Sequence, residues 1–156
     1  MAWVGSCPQR PPSCWPVTDH TSIDRNADPT TAPFWEAVRR FELVIQHCRI
    51  CQTHQFYPRS VCLTCFGVDL EWVPASGLGV VYSQTTVRVN VVPEWIPPYV
   101  VGVVILDEGV RMTAHLVGKP SQIGDRVRVA WRQRPGKSPL PVFEPLEISP
   151  SAVSTE

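Results

Sequence analysis

Four of the chain's six cysteines fall in one stretch, CRICQTHQFYPRSVCLTC, as two Cys-x-x-Cys pairs, Cys48/Cys51 and Cys62/Cys65, with ten residues between the pairs. Each Cys-x-x-Cys turn points two sulfurs at one spot. Two such turns facing each other across a short hairpin supply four sulfurs in a tetrahedron, the geometry that zinc accepts without strain. The expectation is a zinc ribbon. Its separation is shorter than the roughly 15–20 residues usual for this pattern, so the duplicated pair carries the reading and the loop length does not. Four sulfurs leave no open coordination position, so the ion is a structural staple and not a catalytic centre.

Other chemistries compete for these thiols. Disulfides need an oxidising compartment, and nothing in the chain suggests export. A thioredoxin-like redox pair sits alone in a βαβ unit, whereas here the pair is duplicated and no such unit follows. Iron in a rubredoxin-type site uses the same four sulfurs and is separated from zinc poorly by sequence; zinc is the favoured metal. Gly67, after the second pair, is expected to let backbone N–H groups turn toward the sulfurs. His47 adjoins Cys48, but with four cysteines available it reads as a surface residue.

The elements that hold this site begin at Thr31, a possible N-cap, with Pro33 in the first turn. Phe34, Val38 and Phe41 then share one face of a short amphipathic helix, with Glu36, Arg39 and Arg40 elsewhere. Trp35 is more apolar surface than a lone helix can hide. It packs either within the chain or against another subunit. From Glu42 the period shifts toward two, giving a strand that feeds the first knuckle. Phe56, Tyr57 and Pro58 form the far hairpin, and Asp69 to Trp72 carries the chain out of the ribbon.

From Trp72 to Ile148 the pattern is all-β. Strands are expected at Gly79 to Val91, Tyr99 to Leu106, Val110 to Val117, Arg126 to Arg132 and Leu140 to Ile148. The unbroken apolarity of Tyr99 to Leu106 suggests cover on both faces. Asp107-Glu108-Gly109 is a tight turn, and the prolines of Pro93-Glu94-Trp95-Ile96-Pro97-Pro98 mark a loop. Five short strands, the first long enough to bend at a bulge, suit a small OB-type barrel; an SH3-like barrel would give much the same pattern. The fold class is mainly β, with an N-terminal helix and zinc ribbon at 31–71 and a five-stranded barrel at 72–148.

Residues 1–30 hold five of the seventeen prolines and no apolar period, and read as a disordered or draped arm, with a disordered tail at 149–156. Cys7 and Cys14 in that arm, with His20 after them, match no common ligand turn and read as free thiols. The N-terminal MAWVGSCPQRPPSCW is a poor signal peptide, and Val4-Gly5-Ser6-Cys7 lacks the apolar stretch of a lipoprotein leader. The longest apolar run, Tyr99 to Leu106, is too short to span a bilayer. The expectation is a cytoplasmic protein with no membrane partner.

Fourteen basic and fourteen acidic side chains give zero formal charge, so no global field draws the chain to nucleic acid. A local excess does exist: Arg111, Lys119, Arg126, Arg128, Arg132, Arg134 and Lys137 face a single acid, Asp125, in the span they define. The alternation in RVRVAWR makes its arginines the wet side of a strand, with Trp131 sharing the parity of the valines. A solvated face is the first reading, a partner contact at Arg126, Arg128 and Arg132 the second, and a nucleic-acid-binding zinc-ribbon/OB protein the last. No Ser/His/Asp or Cys/His set sits on a recognisable elbow and no carboxylate pair emerges, so the chain is not expected to be an enzyme by itself.

FWEAVRRFELVIQHCRICQTHQFYPRSVCLTC, LEWVPASGLGVVYSQTTV, PYVVGVVILDEGVRMTAHLVG, IGDRVRVAW and PLPVFEP, in that order, resemble the family called domain of unknown function 35. The resemblance covers roughly residues 31–146 and implies a rubredoxin-like zinc ribbon joined to an OB-fold. It implies Cys48, Cys51, Cys62 and Cys65 as ligands of one zinc. Gln52, where the family often has Gly, and Leu63, where it often has Pro, are departures of little consequence for the metal. Proteins similar to it are accessory subunits of acyl-CoA enzymes: thiolase-like proteins, lipid-transfer-type aldolases and MaoC-like hydratases, in lipid, steroid or polyketide metabolism. The resemblance therefore implies a hetero-oligomer, with CoA or acyl-CoA at a shared site and the CoA phosphates at the guanidinium groups of Arg126, Arg128 and Arg132. Trp35 is a candidate partner-facing residue, and Trp95, Ile96 and Tyr99 on the proline-stiffened loop are candidates for a partner-facing or ligand-lining surface; for that loop, capping of the barrel is the alternative.

Overall fold

The structure is a computed structural model that describes residues 28–90 and 94–146. The expected tail, Cys7, Cys14, His20 and nearly all of the expected arm lie outside the described residues. Helix α1 (Ala32–Arg39) opens with Pro33 in its first turn and buries Phe34, Trp35, Ala37 and Val38. It stops two residues before the expected apolar face ends. Arg40 and Phe41 donate backbone N–H groups to Ala37 O and Val38 O, and Phe41 turns left-handed at φ 61°. Phe41 thus sits past the helix, half-exposed, with its ring edge-on to Trp131 at 5.9 Å.

Three antiparallel strands follow as one sheet in the order β2-β1-β3: β1 (Val44–Cys48), β2 (His54–Gln55) and β3 (Leu70–Pro74). The segment expected to lead out of the ribbon is therefore its third strand. Gln46 pairs with Trp72 and Cys48 with Leu70, so the 71/72 boundary falls inside a strand.

The barrel is β4 (Leu78–Val87), β5 (Tyr99–Leu106), β6 (Arg111–Leu116), β7 (Arg126–Arg134) and β8 (Lys137–Pro145). It closes in the order β4-β5-β6-β8-β7, with β4 meeting β7 again and β6 running parallel to β8. That Greek-key order is the OB-fold. The bulge falls between Val81 and Ser83, where β4 bends between its two partners. β4 ends four residues short of the expected Val91, and β8 starts earlier, at Lys137, because the turn at Gly136 (φ 69°) makes β7 and β8 a long hairpin. Within β5 only Gly102, Val104 and Leu106 are buried, while Tyr99, Val101, Val103 and Ile105 are half-covered. Cover on both faces is thus partial, since β5 is an antiparallel strand with one face inward and not a strand between two layers.

Helix, ribbon and barrel share one core. Phe34, Trp35 and Val38 of α1, with Leu43 and Ile45, form a single buried cluster with Val81, Val104, Leu106, Met112, Leu116, Val127 and Phe143. Interior packing this dense leaves little slack. Gly79 shows it: a Cβ there would lie 2.5 Å from Ile105 O and 2.7 Å from Val104 Cγ1, and a backbone carbonyl cannot swing away. Gly79→Ala is expected to destabilise the barrel by about 1–3 kcal/mol, read as a lower urea midpoint at unchanged slope; an unchanged midpoint would refute the close approach.

Candidate metal centre and the covered barrel face

The loop after β1 and the loop before β3 bring Cys48, Cys51, Cys62 and Cys65 together with all four sulfurs within 4.8 Å of one another. Each Cys-x-x-Cys is closed by the same hydrogen bond: Gln52 N–H to Cys48 O at 2.8 Å and Phe66 N–H to Cys62 O at 3.0 Å. The residue after each pair, Gln52 (φ 60°) or Phe66 (φ 59°), takes the left-handed conformation. The sequence reading has Gly67 let backbone N–H groups turn toward the sulfurs; its own N–H does so, while the left-handed turn falls one residue earlier, at Phe66. Gly67 is small because a Cβ would sit 2.4 Å from Ile50 Cδ1, and its N–H faces Cys65.

A buried amide network ties the two knuckles to β1. Gln46 Nε2 donates to Arg59 O (2.9 Å), and Gln46 Oε1 accepts from both Arg59 N–H and Gln55 Nε2 (2.9 Å each). Gln55 Oε1 accepts from Leu63 N–H at 3.0 Å, next to Cys62. Both glutamines are buried and their donors and acceptors are met, which fixes a loop that has almost no apolar side chains to hold it. Neither glutamine stood out in the sequence; the available signal was two polar residues facing each other at the centre of a short hairpin. His47, expected on the surface, is half-buried, with Nδ1 2.9 Å from Glu71 Oε1; Arg49 holds the other carboxylate oxygen at 2.7 Å. The Arg49 hydrogen bond, then that of His47, keeps the Glu71 carboxyl below its usual range.

The donor set fits a metal. Sulfurs at about 2.3 Å around a tetrahedral zinc are about 3.8 Å apart. Cys48 and Cys65 are separated by 3.6 Å and Cys51 and Cys62 by 3.5 Å, contacts between free thiols and not disulfides. Their acidities diverge. N–H groups of Cys65 and Thr64 draw Cys62 down to about 6. The Gly67 N–H favours the Cys65 thiolate too, but desolvation and the neighbouring sulfurs outweigh it and push Cys65 up to about 12. Four thiolates cannot share this volume unaided; a divalent cation bound among them supplies the missing positive charge.

The second set of predicted residues lies on the barrel's outer face. Trp95 is buried, not open to a partner. Its ring stacks on His115 of β6 at 3.3 Å and 11°, and the Arg132 guanidinium covers it at 3.9 Å. Tyr99 packs beside both, 5.6 Å from Trp95 and 5.2 Å from His115. Glu94 pairs with Lys137 and lies 3.9 Å from Arg134, which fastens the loop to the β7–β8 hairpin. Ile96 alone is presented outward, 87 % exposed. Trp35 is in the core, 6 % exposed and edge-on to Phe34 at 5.2 Å; it takes the packing role and not the partner-facing one.

The three arginines do not converge. Arg126 grips Asp107 with both terminal nitrogens (2.6 and 2.8 Å), and Arg128 bonds Glu144 at 2.8 Å. Among the described residues Arg132 makes no ion pair. A concavity of about 300 Å³ beside it is lined by Glu94, Trp95, Arg132, Gln133, Arg134 and Pro135. Sequence reasoning missed His115, whose only signal was its outward parity in β6. Among the described residues no helix is long and apolar enough to cross a membrane.

With this geometry in place, the similarities are specific. Residues 35–71 match the family model described as ChsH2, rubredoxin-like zinc ribbon domain, and residues 72–132 match ChsH2, C-terminal OB-fold domain. A DUF35 domain-containing scaffold protein of Methanocaldococcus jannaschii is 32% identical over 105 residues, 64% of this chain and 74% of that protein. The chain belongs to the DUF35/ChsH2 family.

All four cysteines of this DUF35 chain fall inside the zinc-ribbon match, and its comparison with solved structures agrees. A chain of the structure titled Ltp2-ChsH2(DUF35) aldolase superposes with a TM-score of 0.70 at 36% identity, covering 76% of this chain and 95% of that one. A DUF35 protein of unknown function from Sulfolobus solfataricus shares the fold alone: TM-score 0.58, 16% identity, 79% and 90% coverage. A protein named probable enoyl-CoA hydratase alpha subunit, from Thermomonospora curvata, is 38% identical over 116 residues, 72% of this chain. The chain spans only 36% of that relative's length.

Two outcomes follow. Cys62→Ser is expected to lose the ion and unfold the ribbon, since small metal modules fold with their ion bound; elemental analysis should fall from one zinc per chain to none, with a lower melting temperature. His115 titrates near 4 in the fold, lowered from 6.5 first by burial and then by Arg132. Between those values the unfolded chain takes up a proton that the folded one refuses. Stability should therefore fall as pH drops from about 6.5 to about 4 and level below, and His115→Gln should flatten that slope in urea titrations.

Proposed function

We propose that this chain is a non-catalytic accessory subunit that docks on an acyl-CoA enzyme, of thiolase-like, lipid-transfer-type aldolase or MaoC-like hydratase kind, in lipid, steroid or polyketide metabolism. The observation that carries this reading is the 36% identity to a chain of the Ltp2-ChsH2(DUF35) aldolase structure, over 76% of this chain and 95% of that one. The closed sulfur set supports it, since four cysteines around one ion leave no position for a substrate.

The docking surface in this reading is the knuckle face. Ile50, Leu63, Phe66 and Val68 carry their apolar side chains into solvent there, Phe66 and Val68 each 76 % exposed. Rigid apolar side chains on a metal-stapled loop lose little entropy on binding. Ile96 is a second contact point. The CoA part of the reading rests on Arg132, because Arg126 and Arg128 already hold carboxylates.

The test is co-expression with thiolase-like, aldolase and MaoC-like hydratase subunits of the same genome, one at a time. One of them should elute together with this chain, and Phe66→Asp with Val68→Asp should separate the two while zinc content stays at one per chain. Separate elution of the unaltered chain from every one of them, or turnover of a thioester by this chain alone, would overturn the proposal.

A further inference from the structure

An OB barrel takes ligands on the face of its second and third strands, between the loop that joins strands one and two and the loop that joins four and five. In this chain those strands are β5 and β6, and the loops are the one that carries Glu94–Pro98 and the β7–β8 turn. The face is filled by the chain itself. Trp95 lies flat on His115 at 3.3 Å, Tyr99 flanks the pair, and Glu94 of the same segment is held by Lys137 and Arg134. Consecutive residues thus place an aromatic ring on an aromatic platform and an anion on two cations.

We propose that Glu94–Pro98 is an internal surrogate ligand, and that the His115 ring it lies on, with Tyr99, Arg132, Arg134 and Lys137 around it, is a site for a purine nucleotide. In such a ligand one sugar separates a flat ring from a phosphate, much as one residue step separates the indole from the carboxylate. Stacking on a neutral ring is tolerant of which base is bound and is worth about 1–3 kcal/mol. Phosphate offers Arg134 and Lys137 more charge and more acceptor oxygens than Glu94 does. The indole is also an imperfect occupant: His115 Nδ1 is buried beneath it with no hydrogen-bond partner among the described residues. A tethered occupant acts at an effective concentration in the millimolar range, so it suppresses binding of free ligand until displaced.

The site goes beyond the docking role and does not rest on it, because the measurement uses this chain alone, zinc-loaded and full-length. AMP binding is followed by calorimetry in the unaltered chain and in Glu94→Gln/Trp95→Ala. The double variant, with the zinc content and far-UV spectrum of the parent, is expected to bind AMP at least tenfold more tightly, and adding His115→Ala is expected to abolish the gain. Glu94→Gln alone, which keeps the apolar contacts, should give a smaller gain of about threefold by freeing Lys137 and the Nη1 of Arg134, whose Nε and Nη2 stay on Ser138 O. Free CoA as a second probe separates the sources: tighter binding than AMP assigns the nucleotide end of a CoA ester, and equal or weaker binding assigns a free nucleotide. No gain in either variant, or a gain that survives His115→Ala, overturns the proposal.

Discussion

Four thiols packed within 4.8 Å of one another set the constraint on which the ribbon depends. Without a cation the cluster is electrostatically divided, with Cys62 drawn toward the thiolate and Cys65 driven toward the thiol. A divalent ion removes that conflict and in doing so fixes two loops that have almost nothing else to hold them. The ribbon's three strands run to five residues at most, one of them to two, and such a sheet is too small to supply its own stability. The glutamine network finishes what the metal begins. It carries rigidity from the knuckles into β1, so the exposed apolar side chains around Phe66 sit on a stiff support.

Rigidity is then passed to the barrel by apolar contact. Ile45 of β1 and Leu43 before it are buried in the same cluster as Phe34, Trp35 and Val38 of α1 and Val104 and Phe143 of the barrel. A ribbon tethered only by its chain would swing as a separate module. One shared core makes ribbon and barrel a single body, so the knuckle face and the outer face of the barrel keep a fixed spacing.

What could be read from the sequence was what lies close together in it. The cysteine pairs are defined by spacing of three, β5 by an unbroken apolar run that begins and ends where the strand does, and the turn at Gly109 by its composition. The order of the barrel strands was less visible, because the same five strands suit two barrels until the parallel β6–β8 contact decides between them. Long-range pairing hid the rest. Asp69 to Trp72 looked like an exit because the strand that pairs with Leu70–Pro74 lies far back in the chain, at Val44–Cys48. Trp95 and Trp35 were left between packing within the chain and facing a partner for a similar reason: their covers, His115 with Arg132 and the joint core, come from distant segments and leave no local period.

The basic stretch from Arg111 to Lys137 shows why charge counted along a sequence is a weak guide to a partner. Arg126 meets Asp107 across the β4–β5–β7 corner, Arg128 meets Glu144 on β8, and Lys137 meets Glu94, so three cations that look unopposed in order are matched in space. Arg111 lies over the Tyr82 ring at 4.4 Å and Arg132 over Trp95. A single-strand nucleic-acid groove needs its aromatic faces open between its cations. Here the largest aromatic on that face is covered on one side by His115 and on the other by Arg132. A long polymer would have to clear such a cover along its whole track, whereas a small planar anion has only to replace one indole and one carboxylate.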